Sequence, residues 1–259
     1  MRSGVIGLSL LLAACGGAQV QQAELTGQRE TRNVSVGAFD KVALEGPDRV
    51  VVRVGGAPGV QVSGDRAVLE KLDIRVEADG QLKIKRTGRN WNVSGDADMA
   101  TITVTVPRLA SAAVGGAGEM TVDRVAGVQS FSAAVGGAGD LRVGQLQAGQ
   151  VEAAVGGSGD LRLDGVAAQS VEMAIGGSGT ITAAGQTQKV EAAIGGSGDI
   201  VAQGLSAQDA EIAIAGSGSA NVHASRTAEI AVMGAGEAVV TGGAKCETNK
   251  MGSGTVRCG

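Results

Sequence analysis

The side chains best placed to do chemistry in this 259-residue chain are acids in file. Glu152, Glu172, Glu191, Glu211, Glu229 and Glu247 recur every 18 to 20 residues, and Asp140, Asp160 and Asp199 fall on the same beat. Carboxylates brought side by side could hold a divalent cation or supply the acid–base pair of polysaccharide hydrolysis. Two monodentate acids from one face make a poor calcium cage, so a solvated acidic surface that deters aggregation is the favoured reading. His223, the single histidine, falls in a turn with no Cys or Ser nucleophile at an interpretable spacing and reads as a surface polar residue. Sugar-cleaving grooves usually offer aromatic platforms, and the only aromatics are Phe39, Trp91 and Phe131. No catalytic residue, metal ligand or cofactor is assigned.

The acids keep their beat because the chain repeats. A four-residue element, Gly-Gly-Ala/Ser-Gly in full form, starts at Gly115, Gly136, Gly156, Gly176, Gly195, Ala215, Met233 and Met251. No Lys-Ser/Thr follows it, which excludes a phosphate-binding loop. The calcium nonapeptide is excluded too, because the acid comes one place early and the period is 20 rather than 9 residues. The element reads instead as a tight corner that needs φ > 0 and no Cβ. Strand-type alternation flanks it, as in Val151-Glu152-Ala153-Ala154-Val155 before and Asp160-Leu161-Arg162-Leu163 after. One such unit cannot bury its apolar face alone, so coils must stack at ~4.8 Å. The expectation is an all-β parallel β-helix, a β-solenoid of about 20 residues per coil, right-handed from strand twist and crossover preference. Two places beyond the acids runs an outward file of Ala113, Ala134, Ala154, Ala174, Ala193, Ala213 and Ala231.

The register carries a test for the cysteines. With the corner centred on its second Gly, residues six places before and after face each other across the core: Phe131 with Val143, Val151 with Leu163, Val171 with Ala183, Val190 with Ala202, Ala228 with Val240. In the last coil these positions are Cys246 and Cys258, which should point inward and could close a disulfide at the open end. The alternative is two small buried hydrophobes that never oxidise.

The start of the chain reads as an address. Arg2 precedes a short apolar run, Val5 to Leu12, too short to span a bilayer, and Leu12-Ala13-Ala14-Cys15 resembles a bacterial lipobox. That resemblance implies a signal peptide over 1–14 and lipid attachment at Cys15, with acyl chains as the membrane partner. The absence of Asp after the Cys leans toward outer-membrane sorting in a Gram-negative envelope. Residues 15–32 are polar, lack periodicity and read as a lipidated Cys with a flexible tether. With 22 Lys or Arg against 26 Asp or Glu, the chain offers no basic footprint for nucleic acid.

Residues 33–108 differ in texture. They hold strand-like runs, an Asp79-Gly80 hairpin signal and a possible helical turn from Ala67 to Leu72. Val42 to Val54, with Gly46 at a corner, has the form of a degenerate coil, so this part is expected to be an irregular β-rich cap on the repeat β-helix of 109–259. Phe39-Asp40-Lys41-Val42, Val60-Gln61-Val62-Ser63-Gly64-Asp65, Ile74 through Ile84 and the Pro107-Arg108-Leu109 entry into the glycine coils together resemble the bacterial lipoprotein family called "putative auto-transporter adhesin, head GIN domain" (DUF2807). The resemblance implies an exported β-solenoid and carries no active site over. The expected function is a non-catalytic, lipid-anchored envelope protein, an adhesin or surface scaffold with a protein or glycan partner. A β-helical polysaccharide-active enzyme and a periplasmic structural protein are the alternatives.

Overall fold

A computed structural model of the chain describes residues 26–88 and 99–259. Cys15, the expected signal peptide, most of the expected tether and Trp91 lie outside the described residues. The rest is a β-solenoid of about seven turns of roughly 20 residues. Its regular body is built from β8 (Ser111–Val114), β9 (Glu119–Val135), β10 (Asp140–Val155), β11 (Asp160–Ala167), β12 (Ser170–Ile175), β13 (Thr180–Gln186) and β14 (Lys189–Ile194), followed by β15 (Asp199–Gly216), β16 (Ser219–Gly234), β17 (Glu237–Thr241), β18 (Lys245–Gly252) and β19 (Thr255–Cys258). Every neighbouring pair in this set is parallel, and on both sides of the glycine corner the register is constant, so like residues stack on like: Leu141 on Leu161, Ile181 and Ile200, and Val155 on Ile175, Ile194 and Ile214. The inward partners expected from the corner register are all buried, from Phe131 and Val143 through Ala228 and Val240.

Each coil has three sides. The strand before the glycine corner forms the first, the strand after it the second. The chain then bends inward once more through Val125, Leu146, Val166 or Leu205 before turning into the next coil. The core is therefore a column of aliphatic layers and not a channel.

The glycines of the corner serve close approach more than backbone twist. A Cβ on Gly157 would lie 2.0 Å from the Gly137 carbonyl oxygen, and one on Gly159 2.0 Å from the Gly139 oxygen. Those carbonyls must be near, because the Ser158 N–H donates to the Gly137 oxygen at 3.0 Å and the Gly159 N–H to the same oxygen at 3.2 Å. Positive φ in the element occurs only at Gly216, Gly234 and Gly252, in the three C-terminal coils. The expectation that φ > 0 selects every corner glycine is thus corrected: stacking clearance selects most of them. The first position of the element has no such demand. Gly156 is exposed and a Cβ there would meet nothing within 4 Å, which is why Ala215, Met233 and Met251 can stand in that place.

The N-terminal part stacks out of sequence order. β2 (Lys41–Glu45) and β3 (Arg49–Val54) form a coil below β8 and the start of β9. Beneath it lie β6 (Gln81–Arg86) and β7 (Thr101–Val106), parallel to β2 and β3 although later in the chain. Antiparallel strands finish this end: β5 (Leu72–Val76) on β6 across the Asp79-Gly80 turn, β4 (Gly59–Asp65) on β7, and β1 (Arg29–Val34) on β4. The helical turn α1 is shorter than expected, Arg66–Leu69, capped by the Asp65 carboxylate, which accepts the Ala67 N–H at 2.9 Å. β1 also corrects the tether expected over 15–32: from Arg29 the chain is strand, because its backbone pairs with the free edge of β4.

At the other end, Cys246 and Cys258 are paired as a disulfide with Cα atoms 6.6 Å apart. They continue the columns of Ala228 and Val240, yet Cys246 is only half-buried and Cys258 is exposed, not inward in a closed core, since no coil stacks above them. Thr248 and Lys250 follow Ile230 and Val232 in the same inward columns, so the last coil replaces apolar residues by polar ones where the stack meets solvent. Breaking the disulfide is expected to cost on the order of 2–3 kcal/mol. The check is the melting temperature of reduced against oxidised protein, and an unchanged value would deny the bond any part in stability.

Candidate functional site

The first side carries the acid file. Glu152, Glu172, Glu191, Glu211, Glu229 and Glu247 are in strict register, one per coil. Lys189, one column away, bonds Glu191 and reaches Glu211 at 3.3 Å, so the row is partly neutralised by its own surface. Among the described residues, no group of three or more His, Cys, Asp or Glu is placed to hold a metal ion. In the same neighbouring column, Asp209 accepts hydrogen bonds from Arg226 and, at 2.6 Å, from the Thr227 hydroxyl. These hold its carboxyl at about 2, from an ordinary 3.8, against the opposing effect of burial. The stability it contributes is therefore full above its unfolded value and lost as pH falls through about 2. An NMR titration of the Asp209 carboxyl should show that low midpoint, and Arg226→Ala should move it up toward 3.8; a midpoint unmoved by the substitution would remove Arg226 as the cause.

On the second side, Arg142 and Arg162 do converge with an acid of an adjacent coil, but on one carboxylate only. Asp164 accepts from Arg142 and from Arg162, each at 2.8 Å, and both arginines are more than half exposed. One carboxylate gripped by two guanidiniums in water offers no acid–base pair for glycoside cleavage. His223 is half-buried, its Nδ1 3.3 Å from the Thr241 hydroxyl, while the nearby Ser225 hydroxyl donates to the Ala207 carbonyl rather than to the imidazole. The Thr241 hydroxyl in turn donates to the Val222 carbonyl at 3.5 Å, so it is directed at the backbone.

The third side, which sequence reasoning passed over, is the most uniform surface. Shallow depressions of about 540 Å³ and 440 Å³ follow one another along it, sharing Gln186, Thr187 and Gln208. Gln169, Gln188 and Gln208 stack in successive coils, joined by backbone hydrogen bonds of 3.1 Å from each N–H to the carbonyl of the coil before. The recurring Gln was visible in the chain; that it lines one edge depended on knowing where each coil bends.

The N-terminal end is closed by two acids. Asp65 accepts from the Thr26 and Gly27 N–H groups at 3.2 and 2.8 Å, and from the Thr26 hydroxyl, as well as capping α1. Burial pushes this carboxyl up, and the donated hydrogen bonds outweigh it and hold it below the usual carboxylate range. Asp48, fully buried, accepts from Arg86 Nε at 2.9 Å, from its terminal nitrogen at 2.5 Å and from the Ala100 N–H at 2.8 Å.

Known structures share this architecture. The chain is similar to a putative lipid binding protein from Parabacteroides distasonis ATCC 8503, with a TM-score of 0.81 at 23% identity over 91% of this chain and 98% of that one. A putative adhesin from the same organism gives a TM-score of 0.82 at 23% identity over 92% of this chain and 100% of the other. A putative adhesin from Parabacteroides merdae ATCC 43184 gives 0.78 at 17% identity over 91% and 98%. At these identities the likeness establishes the fold. No curated relative matches the chain. The profile of one family covers residues 38–244, spanning both the out-of-order N-terminal coils and the repeats that carry the glutamine edge and the acid file as far as Glu229. The chain belongs to that family, described as "Putative auto-transporter adhesin, head GIN domain" (DUF2807).

Proposed function

We propose that this is a non-catalytic adhesin or surface scaffold of the bacterial envelope, anchored by lipid at Cys15 and presenting its solenoid faces to a partner. The observation that carries the reading is the clasp of Thr26 and Gly27 on Asp65, which fixes the exit of the N-terminal segment at one end of the stack. From β1 to β19 the second side counts twelve strands, so the disulfide-capped end stands eleven strand spacings away, ~50 Å. A rod tethered at one end and sealed at the other presents its long sides, as display requires. Ten residues lie between Cys15 and Thr26, a reach of at most ~40 Å, short enough to keep the rod at the membrane.

Protease shaving of intact and permeabilised cells tests the reading, with an epitope at the C-terminus for detection. Digestion in intact cells is the expected result. Protection until permeabilisation would sink the surface reading and leave a periplasmic structural protein.

A further inference from the structure

We infer that the third side of the solenoid is a binding groove for an uncharged, extended polysaccharide, lying along the stack with about one sugar per coil. The inference deepens the adhesin reading and rests on it for its biological setting.

The groove is built by two columns of outward residues with a floor between them. One column runs Gln147, Ala167, Gln186, Ser206 and His223 in strand register. The other runs Gln169, Gln188 and Gln208, continued toward the N-terminal end by Gly149, over which the Gln129 amide lies. A Cβ on Gly149 would come within 2.6 Å of the Gln129 side-chain nitrogen, so glycine there leaves room for that amide. The floor is Ala148, Ala168, Thr187 and Ala207; the Thr187 hydroxyl is spent on the Gln169 and Lys189 carbonyls and offers nothing outward.

Charge decides the class of ligand. No charged residue occurs from Gln145 to Gln150, Gly165 to Gln169, Ala184 to Gln188 or Gln203 to Gln208, and in the coil of His223 the one charged residue, Arg226, is bound to Asp209, whereas the other two sides carry acids or bases in nearly every coil. A groove without charge gives an anionic polymer no attraction, and it avoids stripping water from ions when a neutral one docks. Primary amides suit hydroxyl-rich partners, because each offers two donors and an acceptor with two lone pairs. Among the described residues, the amides of Gln147, Gln169, Gln186, Gln188 and Gln208 make no hydrogen bond within the protein, so they are available to a ligand.

Period decides the shape. The columns repeat at the coil spacing of ~4.8 Å, comparable with the advance of one pyranose in an extended glycan. An extended polypeptide advances ~3.3 Å per residue and falls out of step within a few coils. Each sugar gains little from amides alone, with no aromatic platform, and several coils in series supply the affinity that one cannot.

The test is native affinity electrophoresis of the full mature chain in non-ionic detergent. Gels would contain hydroxyethylcellulose, galactomannan, mannan, laminarin or dextran, with alginate as the charged control. Retardation by at least one neutral polymer, none by alginate, and about tenfold weaker retardation for Gln169→Ala/Gln188→Ala with an unchanged melting temperature is the expected result. Retardation by alginate equal to the neutral polymers, none by any neutral polymer, or a double variant that binds like the parent would overturn the groove. Beads coated with the chain separate this from the adhesin reading. Cell binding abolished by trypsin but not by periodate would mean a protein partner, leaving adhesion standing and the glycan groove refuted. Polymer retardation without any bead adhesion would leave the groove and remove the adhesin.

Discussion

Gly159→Ala is expected to destabilise the protein by about 3 kcal/mol or more, while Gly156→Ala, three residues earlier in the same corner, is expected to change stability by less than about 0.5 kcal/mol. The new methyl at 159 would sit 2.0 Å from the Gly139 oxygen and 2.9 Å from Val135 Cγ1, so either the coils part or the corner bends. Parting them would break the hydrogen bonds that Ser158 and Gly159 donate to the Gly137 carbonyl of the coil before. At 156 the methyl would enter open solvent, as it already does at Ala215. For a body of this size the first loss should appear as a fall of ~10 °C in melting temperature. Equal melting temperatures for the two variants would show that close stacking does not govern the corner.

The second large effect lies at the N-terminal end. Arg86→Met should cost about 3–5 kcal/mol, because it strands the Asp48 carboxylate in the core with the Ala100 N–H as its one remaining donor among those described above. The pair itself need not be worth much, since replacing both members of a buried ion pair by apolar groups is often neutral. The chain supplies the natural replacement: Asp48 occupies the register position of Gly118 and of every third corner glycine after it. Asp48→Gly/Arg86→Met should therefore recover most of the loss, to within about 1 kcal/mol of the parent. Urea unfolding of the three proteins checks this. A single variant within about 1 kcal/mol of the parent would mean water reaches the site.

The regular coils were legible in the sequence because their information is local. Alternation marks the strands, the glycine element marks the corner, and a 20-residue interval puts residue 152 beside residue 172 without knowledge of anything farther away. The acid file and its exposure followed from that alone. Other features depended on contacts between segments with no shared period. Asp48 meets Arg86 only because β6 slides beneath β2, and nothing in the repeat says that a later strand should lie below an earlier one. The corner glycines misled for a related reason: φ is a property of one residue, whereas the clearance that selects Gly157 belongs to two coils. The glutamine edge escaped notice because the third side bends irregularly, with register shifts between Leu163 and Val166 and between Ala202 and Ser206, so its columns do not keep a constant count.

The order of stacking has a consequence for how the chain acquires its shape. A polypeptide delivered N-terminus first would have β2 through β7 in hand by Val106, enough to close two coils around the Asp48–Arg86 pair and seal their lower end with β4 and β5. The upper edge of β2 and β3 then remains open to parallel pairing, while the strands that finish the lower end are antiparallel to their neighbours, so each later repeat finds a parallel template above. Assembly becomes a one-way zipper, seeded before the glycine repeats arrive and unable to start a competing stack from below. Loss of whole coils from the distal end shortens such a rod without unseating its seed, so its length is free to vary while its foot stays the same.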